Sequence, residues 1–231
     1  MPEMTFQTSN GVMSGYLALP TVTPAPAILV IQEIFGVNRV MRDICDHLAA
    51  KGYVAACPDL FWRLEPGIQL TDKSEEEWAK AFDLFARFDV DKGGEDLKVV
   101  LATLRQHPAC NGKVGDVGYC LGGKLAYLMS TRSDTDCSVS YYGIQIDSLL
   151  DEAGAISKPL MLHVASKDQF VPPDAQEAMR AGLADLPNVT FHVYEGQDHA
   201  FARVGGEHFD SNAAALANDR SAAFFKENLG A

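Results

Sequence analysis

The run Val114–Gly115–Asp116–Val117–Gly118–Tyr119–Cys120–Leu121–Gly122–Gly123–Lys124–Leu125–Ala126 constrains this chain more than any other segment. It reads as a strand, a sharp turn with Cys120 at its tip, and a helix. Gly118 and Gly122 flank the cysteine two positions before and two after it. That is the spacing of a nucleophile elbow, G-x-S-x-G, with cysteine in place of serine. The tip residue of such a turn is held in a strained conformation, so the flanking positions must lack side chains. The segment predicts covalent chemistry by a thiol and says where the partners of that thiol should lie.

The remaining sequence predicts an α/β fold. Met4 to Gln7 and Val12 to Leu19 alternate around Ser9–Asn10–Gly11, the pattern of an antiparallel hairpin at a sheet edge. Ala27 to Ile31 is a continuous apolar strand of the kind buried on both faces. Met41, Ile44, Cys45 and Leu48 fall on one helical face, and that helix stops at Gly52. Tyr53 to Cys57 is the next strand. Pro58 to Lys73 is a long irregular stretch, a length that often marks function. Ser74 and Glu77 have the form of a capping box, with a helix running to about Arg87. Gly93–Gly94 is expected to precede a further helix that ends before Pro108. Beyond the elbow come strands over Cys137–Tyr142, Leu160–Ala165 and Val189–Tyr194, with helices over Pro173–Leu183 and Asn212–Asn228. Alternating strands and helices imply a mainly parallel central sheet with helices on both faces and an N-terminal antiparallel hairpin.

Bulk properties narrow the function. Domains usually run to about 150 residues, and single α/β domains often exceed 200. The 231 residues, 47% of them hydrophobic, are therefore expected to form one domain over 1–231. The net charge of −12 and the lack of a basic cluster argue against nucleic acid as a partner. An acidic surface also repels an anionic substrate, which would then need a local cation. Met1 to Asn10 lacks the basic region and apolar run of a signal peptide, and the longest apolar stretches are too short to span a bilayer. The five cysteines, 45, 57, 110, 120 and 137, show no C-x-x-C pairing, which fits free thiols in a reducing cytosol. A cytoplasmic protein without a cofactor is expected, either monomer or dimer.

In a parallel sheet, catalytic groups gather where strands end at their carboxyl side. If Cys120 is a nucleophile, an acid and then a base should each follow a later strand. Asp168 follows Leu160–Ala165 in Ser166–Lys167–Asp168, and His199 follows Phe191–Tyr194 in Glu195–Gly196–Gln197–Asp198–His199. The order Cys, Asp, His is that of the α/β-hydrolase fold. A free thiol is only a few per cent thiolate at neutral pH, and a touching imidazole favours the thiolate. The aspartate orients that imidazole and stabilises its charged form. His163 and His192 lie in apolar strands and read as core or edge residues. His47 reads as solvent-facing, His107 as a helix-end residue suited to the dipole, and His208 as a loop residue. Asp198, His199 and His208 lack a further ligand at metal-site spacing. Cys45 and Cys57 read as core filler.

The first buried strand runs into Gln32–Glu33–Ile34–Phe35–Gly36. Together with Gly118–Tyr119–Cys120–Leu121–Gly122–Gly123, this run resembles the dienelactone hydrolase (carboxymethylenebutenolidase) family over nearly the whole chain. The matched sites are Glu33, Cys120, Asp168 and His199. The resemblance implies an α/β-hydrolase fold and hydrolysis of an enol-lactone, dienelactone, to maleylacetate in chloroaromatic breakdown. It further implies that Glu33 holds the resting thiol poorly reactive and is displaced by substrate, helping to deprotonate Cys120. Thiolate attack would open the ring to an acyl-enzyme, which water activated by His199 would release. Backbone N–H groups of Leu121 and Ile34 would hold the oxyanion.

Family members acting on dienelactone bind its carboxylate with arginines. Arg203 matches one of them. An ungapped match places Trp78 near the other and Phe82 where a tyrosine is expected, while Ala200 stands where a serine is familiar. Phe35, Trp78 and Phe82 are thus expected at the substrate, in a less polar pocket suited to a more hydrophobic ester. The alternatives are a carboxylesterase or thioesterase on a less anionic substrate, and a catalytically silent scaffold for ligand binding or protein association.

Overall fold

The structure, a computed structural model, describes residues 3–230. Among these residues there are eight strands and six α-helices. The chain groups into two compact units, one ending at Gly115 and the other spanning Asp116–Gly230.

In the first unit, β1 (Glu3–Thr8) and β2 (Gly11–Ala18) form the expected antiparallel hairpin, in register from Thr8↔Gly11 to Glu3↔Tyr16. β2 runs antiparallel to β4 (Val54–Pro58), and β4 runs parallel to β3 (Ala25–Ile31). The hairpin therefore sits at the edge of an order β1-β2-β4-β3. Every residue of β3 is buried, which explains its unbroken apolar sequence. Asn38 caps α1 (Arg39–Ala50) by accepting the Met41 N–H at 3.2 Å.

Ser74 caps α2 (Glu75–Arg87) by accepting the Glu77 N–H at 3.2 Å. The Glu77 carboxylate accepts from the Thr71 N–H at 3.0 Å and from the Ser74 hydroxyl at 3.5 Å. Gly93 and Gly94 do not precede the next helix. They lie inside α3 (Val90–Arg105), which Asp89 caps through the Lys92 N–H at 3.0 Å. The reason is packing. A Cβ on Gly93 would collide with the Phe88 ring, so the glycine makes room for an aromatic just past the end of α2. His107, read from sequence as a helix-end residue, accepts the Ala109 N–H at 3.1 Å through Nδ1.

The irregular stretch after β4 is pinned by its own polar groups. Asp59 accepts the N–H groups of Phe61 (3.0 Å) and Gly67 (2.7 Å). Leu70 N–H donates to the Phe35 carbonyl at 2.9 Å, and Gly36 forms an isolated bridge with Gln69. Gly36 has φ +76, and a Cβ there would be driven into the Ile68 carbonyl. This loop therefore fixes the backbone that follows Glu33.

In the second unit, the end of β5 (Cys110–Tyr119), β6 (Ser138–Tyr141), β7 (Leu160–Ala165) and β8 (Val189–Tyr194) are parallel neighbours in that order. α4 (Leu121–Arg132) is buried from Leu121 to Ser130, so it has no amphipathic stripe. A 3₁₀ stretch over Asp147–Ala155 precedes β7. α5 (Pro173–Leu183) and α6 (Ser211–Leu229) complete this unit. His163 is a satisfied core residue, as expected. Its Nδ1 pairs with the Tyr194 hydroxyl at 2.7 Å and its Nε2 with the Ser221 hydroxyl at 2.9 Å. Burial, assisted by His192 and Arg220, pushes its pKa well below the usual range, so it is held neutral. No helix among the described residues is long and apolar enough to cross a membrane.

Candidate active site

The second unit presents the elbow as the sequence predicts it. β5 ends at Tyr119, Cys120 stands at the turn with φ 57 and ψ −114, and α4 begins at Leu121. A positive φ on a side-chain-bearing residue is strained and persists only where the surroundings enforce it. Here they do. Cys120 N–H donates to the Tyr141 carbonyl at 3.0 Å, and the Cys120 carbonyl accepts from the Lys124 N–H at 3.1 Å. A Cβ on Gly118 would be forced into the Gly122 carbonyl. One on Gly123 would lie 2.7 Å from both the Gly143 Cα and the Tyr141 carbonyl oxygen. Only glycine lets the helix approach this closely.

β7 and β8 are in register up to Ala165↔Tyr194, so the loops that follow them leave the sheet side by side. They are laced together. Lys167 N–H donates to the Gln197 carbonyl at 2.8 Å, and Gly196 N–H donates to the Ser166 hydroxyl at 2.8 Å. His199 N–H donates to Asp198 at 2.6 Å. This lacing brings Asp168 and His199 together. The His199 Nδ1 lies 2.8 Å from Asp168 Oδ2, and the other carboxylate oxygen accepts the Phe170 N–H at 2.8 Å. Both residues are buried. An ionised carboxylate only accepts, so Nδ1 carries a proton and donates it to Asp168, which leaves Nε2 as the other end of the ring. Nε2 is buried and has no hydrogen-bond partner among the described residues, while Cys120 is near enough to influence the ring electrostatically.

Electrostatics couple the three side chains. Burial alone disfavours a charged imidazole. The influence of Cys120, with the hydrogen bond to Asp168, outweighs that and raises the His199 pKa to about 10. Because Cys120 is the largest of the raising influences, its removal should lower the His199 pKa. Nitrogen-15 NMR should show His199 still protonated at pH 8 in the wild-type protein and deprotonating at lower pH in Cys120→Ala. The same titration in both proteins would contradict the coupling.

Two aromatic residues that the sequence analysis did not single out hold the imidazole. Tyr142 meets it edge-on with ring centroids 5.0 Å apart, and Phe170 does so at 4.8 Å. Tyr142 has φ 39 and Ala200 has φ 62, so strained backbone also lies on both sides of His199. Phe170 was within reach of sequence reading, since it stands next but one after the candidate acid. Tyr142 carried no such signal, because a positive φ on tyrosine is not written in the sequence. Arg203 is buried in this unit, a short turn after His199 (its N–H donates to the Ala200 carbonyl at 2.9 Å).

In the first unit, Glu33, Ile34 and Phe35 are all buried just past β3. Phe35 meets Trp78 edge-on at 5.0 Å, and Trp78 stacks on Phe82 at 5.4 Å with ring planes 26° apart. Arg63 and Arg87, the other arginines nearby in sequence, are engaged with Asp96 and Asp83. Among the described residues, no group of three or more His, Cys, Asp or Glu could hold a metal.

The Dienelactone hydrolase family model matches residues 13–229. The chain belongs to the dienelactone hydrolase family. It is a hydrolase of ester or lactone bonds, on the α/β-hydrolase fold. It is 53% identical over 225 residues to a candidate carboxymethylenebutenolidase of Azospirillum brasilense, covering 96% of each chain. It is 38% identical over 218 residues to the carboxymethylenebutenolidase of Pseudomonas putida, covering 94% of this chain and 92% of that one. Among solved structures, a candidate dienelactone hydrolase from Klebsiella pneumoniae matches with a TM-score of 0.86 and 26% identity, covering 97% of both chains.

Proposed function

We propose that this hydrolase acts through a Cys120–His199–Asp168 triad and a cysteinyl acyl-enzyme, on an enol-lactone of the dienelactone type or a related ester. The observation that carries the reading is the buried Asp168–His199 pair at 2.8 Å, together with the influence of the elbow cysteine on the same imidazole. In this reading the Cys120 thiolate attacks the carbonyl carbon. The C–S bond forms as electrons move onto the carbonyl oxygen, and collapse breaks the C–O bond and expels the enolate or alkoxide, which takes the proton held by His199 and leaves that ring neutral. His199 then removes a proton from water, and the resulting hydroxide releases the acid and regenerates the thiolate.

Leu121 is the first residue of α4, so its N–H is among those left without an acceptor inside the helix. It supplies one oxyanion donor and Ile34 the other. Glu33 governs the reactivity of the resting thiol, and Arg203 receives a substrate carboxylate. A low-molecular-weight ester or lactone is the substrate, no cofactor takes part, and the enzyme works in the cytoplasm.

A substrate panel tests this reading. cis- and trans-Dienelactone should both be turned over, along with simple aryl esters. Arg203→Ala should raise KM about tenfold for carboxylated substrates and change it little for neutral ones. Glu33→Ala should alter the dependence of thiol alkylation rate on pH. No turnover of any lactone or ester would refute the reading. Equal KM effects on both substrate classes would remove Arg203 from recognition, and an unchanged alkylation profile would remove Glu33 from control of the thiol.

A further inference from the structure

A run of hydrogen bonds lies behind the elbow in the second unit, with buried His163 at its centre. The ring Nδ1 lies 2.7 Å from the Tyr194 hydroxyl and Nε2 lies 2.9 Å from the Ser221 hydroxyl. The Ser221 oxygen lies 2.7 Å from the Tyr141 hydroxyl, which donates to Asn218 Oδ1 at 3.0 Å. The run thus ties β6, β7 and β8 to α6. Counting protons gives it a single direction. Each hydroxyl has one proton, and the neutral His163 ring has one N–H and one bare nitrogen. Tyr141 gives its proton to Asn218, so Ser221 must donate to Tyr141. His163 must then donate to Ser221 from Nε2, which leaves Nδ1 bare to accept from Tyr194.

The backbones of the same residues hold the site. The Tyr141 carbonyl accepts the Cys120 N–H at 3.0 Å, and the His163 carbonyl accepts the Tyr142 N–H at 2.8 Å. The Tyr194 carbonyl accepts the N–H groups of Ser166 at 3.1 Å and Gln197 at 3.3 Å. These donors belong to the elbow, to the tyrosine whose ring meets His199, and to the loops that carry Asp168 and His199. Tyr141 and His163 are register partners, with ring centroids 4.3 Å apart. Cys120, Tyr142 and Ala200 all have positive φ, a strain that persists only where the surroundings enforce it. Strands whose side chains are locked together while their carbonyls hold the strained segments supply that enforcement.

We infer that His163 is a positioning residue: its directed run of hydrogen bonds locks the strand ends whose carbonyls hold the Cys120 turn and the loops bearing Asp168 and His199. This rests on the triad proposed above. The run acts through backbone, so cutting it removes no triad atom. It loosens the placement of the thiol against the imidazole, and a misplacement of about 1 Å can cost about a hundredfold in rate.

Nitrogen-15 NMR of the whole enzyme reads the proton order directly. At pH 7, His163 should carry its proton on Nε2, with Nδ1 bare. Ser221→Ala and Tyr141→Phe each cut the run while keeping the bulk of the side chain. In each, the pre-steady-state burst of p-nitrophenolate from p-nitrophenyl acetate should slow about tenfold. Alkylation by iodoacetamide, followed on the peptide containing Cys120, should require a higher pH, because a displaced imidazole favours the thiolate less. Ser221→Thr keeps the hydroxyl and should stay within about threefold of the wild type. Circular dichroism confirms that each variant is folded, and the second cut serves if the first does not fold. A His163 proton on Nδ1 overturns the directed run. A lower melting temperature with burst and alkylation profile unchanged shows a purely structural run, which overturns the positioning role and leaves the triad standing. A shifted alkylation profile in the cut proteins, with turnover that persists in Cys120→Ala, overturns the triad and leaves the positioning of the thiol standing.

Discussion

Cys120→Ala should abolish ester and lactone hydrolysis, lowering kcat/KM by at least about a thousandfold, while the protein stays folded. The size follows from the role. Without a nucleophile, no acyl-enzyme forms, and what remains is the slow attack of water on a bound ester. The preserved fold follows from the packing. The thiol is a small side chain in a turn held by backbone bonds, Cys120 N–H to the Tyr141 carbonyl and Lys124 N–H to the Cys120 carbonyl. Alanine keeps both bonds and meets the same backbone strain at φ 57. Hydrolysis of p-nitrophenyl acetate and of a dienelactone, with thermal unfolding as a control, reads both halves. Activity within tenfold of the wild type would remove Cys120 as nucleophile.

Gly118→Ala should act in the opposite sense, through the fold and not the chemistry. Its Cβ would be forced into the Gly122 carbonyl and would lie 2.9 Å from the Gly123 nitrogen. These are backbone atoms at the start of a helix buried from Leu121 to Ser130, so nothing nearby can move aside. Overpacking against rigid backbone should cost about 4 kcal/mol or more. For a chain of this size that is a melting temperature lower by about 8–16 °C, with activity lost as the elbow distorts. Gly196→Ala serves as a control for glycine substitution in general, because no atom lies within 4 Å of a Cβ there, although its φ of +77 imposes a smaller strain of its own. A Gly118→Ala protein as stable as the wild type would show that the close approach of strand and helix is not required.

The parts of the site that were legible in the sequence are those with a local reason. A strand, a glycine-flanked tip and a helix are fixed by neighbouring residues, and β5, Cys120 and α4 follow that reading. The pairing of Asp168 with His199 was legible because parallel strands send their following loops to one edge, and the two side chains meet there. Legibility ended where distant packing decides. Gly93 reads from the sequence as preceding a helix, but it lies inside one, where the Phe88 ring needs its missing side chain. The 3₁₀ stretch Asp147–Ala155 has no apolar period to announce it. The edge-on contact of Tyr142 with His199 depends on a loop path that no spacing rule contains.

The claim beneath all of this is that an acyl group passes through the sulfur of Cys120. Rapid acid quench of the enzyme with an excess of p-nitrophenyl ester, followed by intact and peptide mass spectrometry, measures it directly. One added acyl mass on the peptide containing Cys120, absent from Cys120→Ala, is the expected result. Steady turnover with an unmodified Cys120, or with the acyl group on another residue, would contradict it.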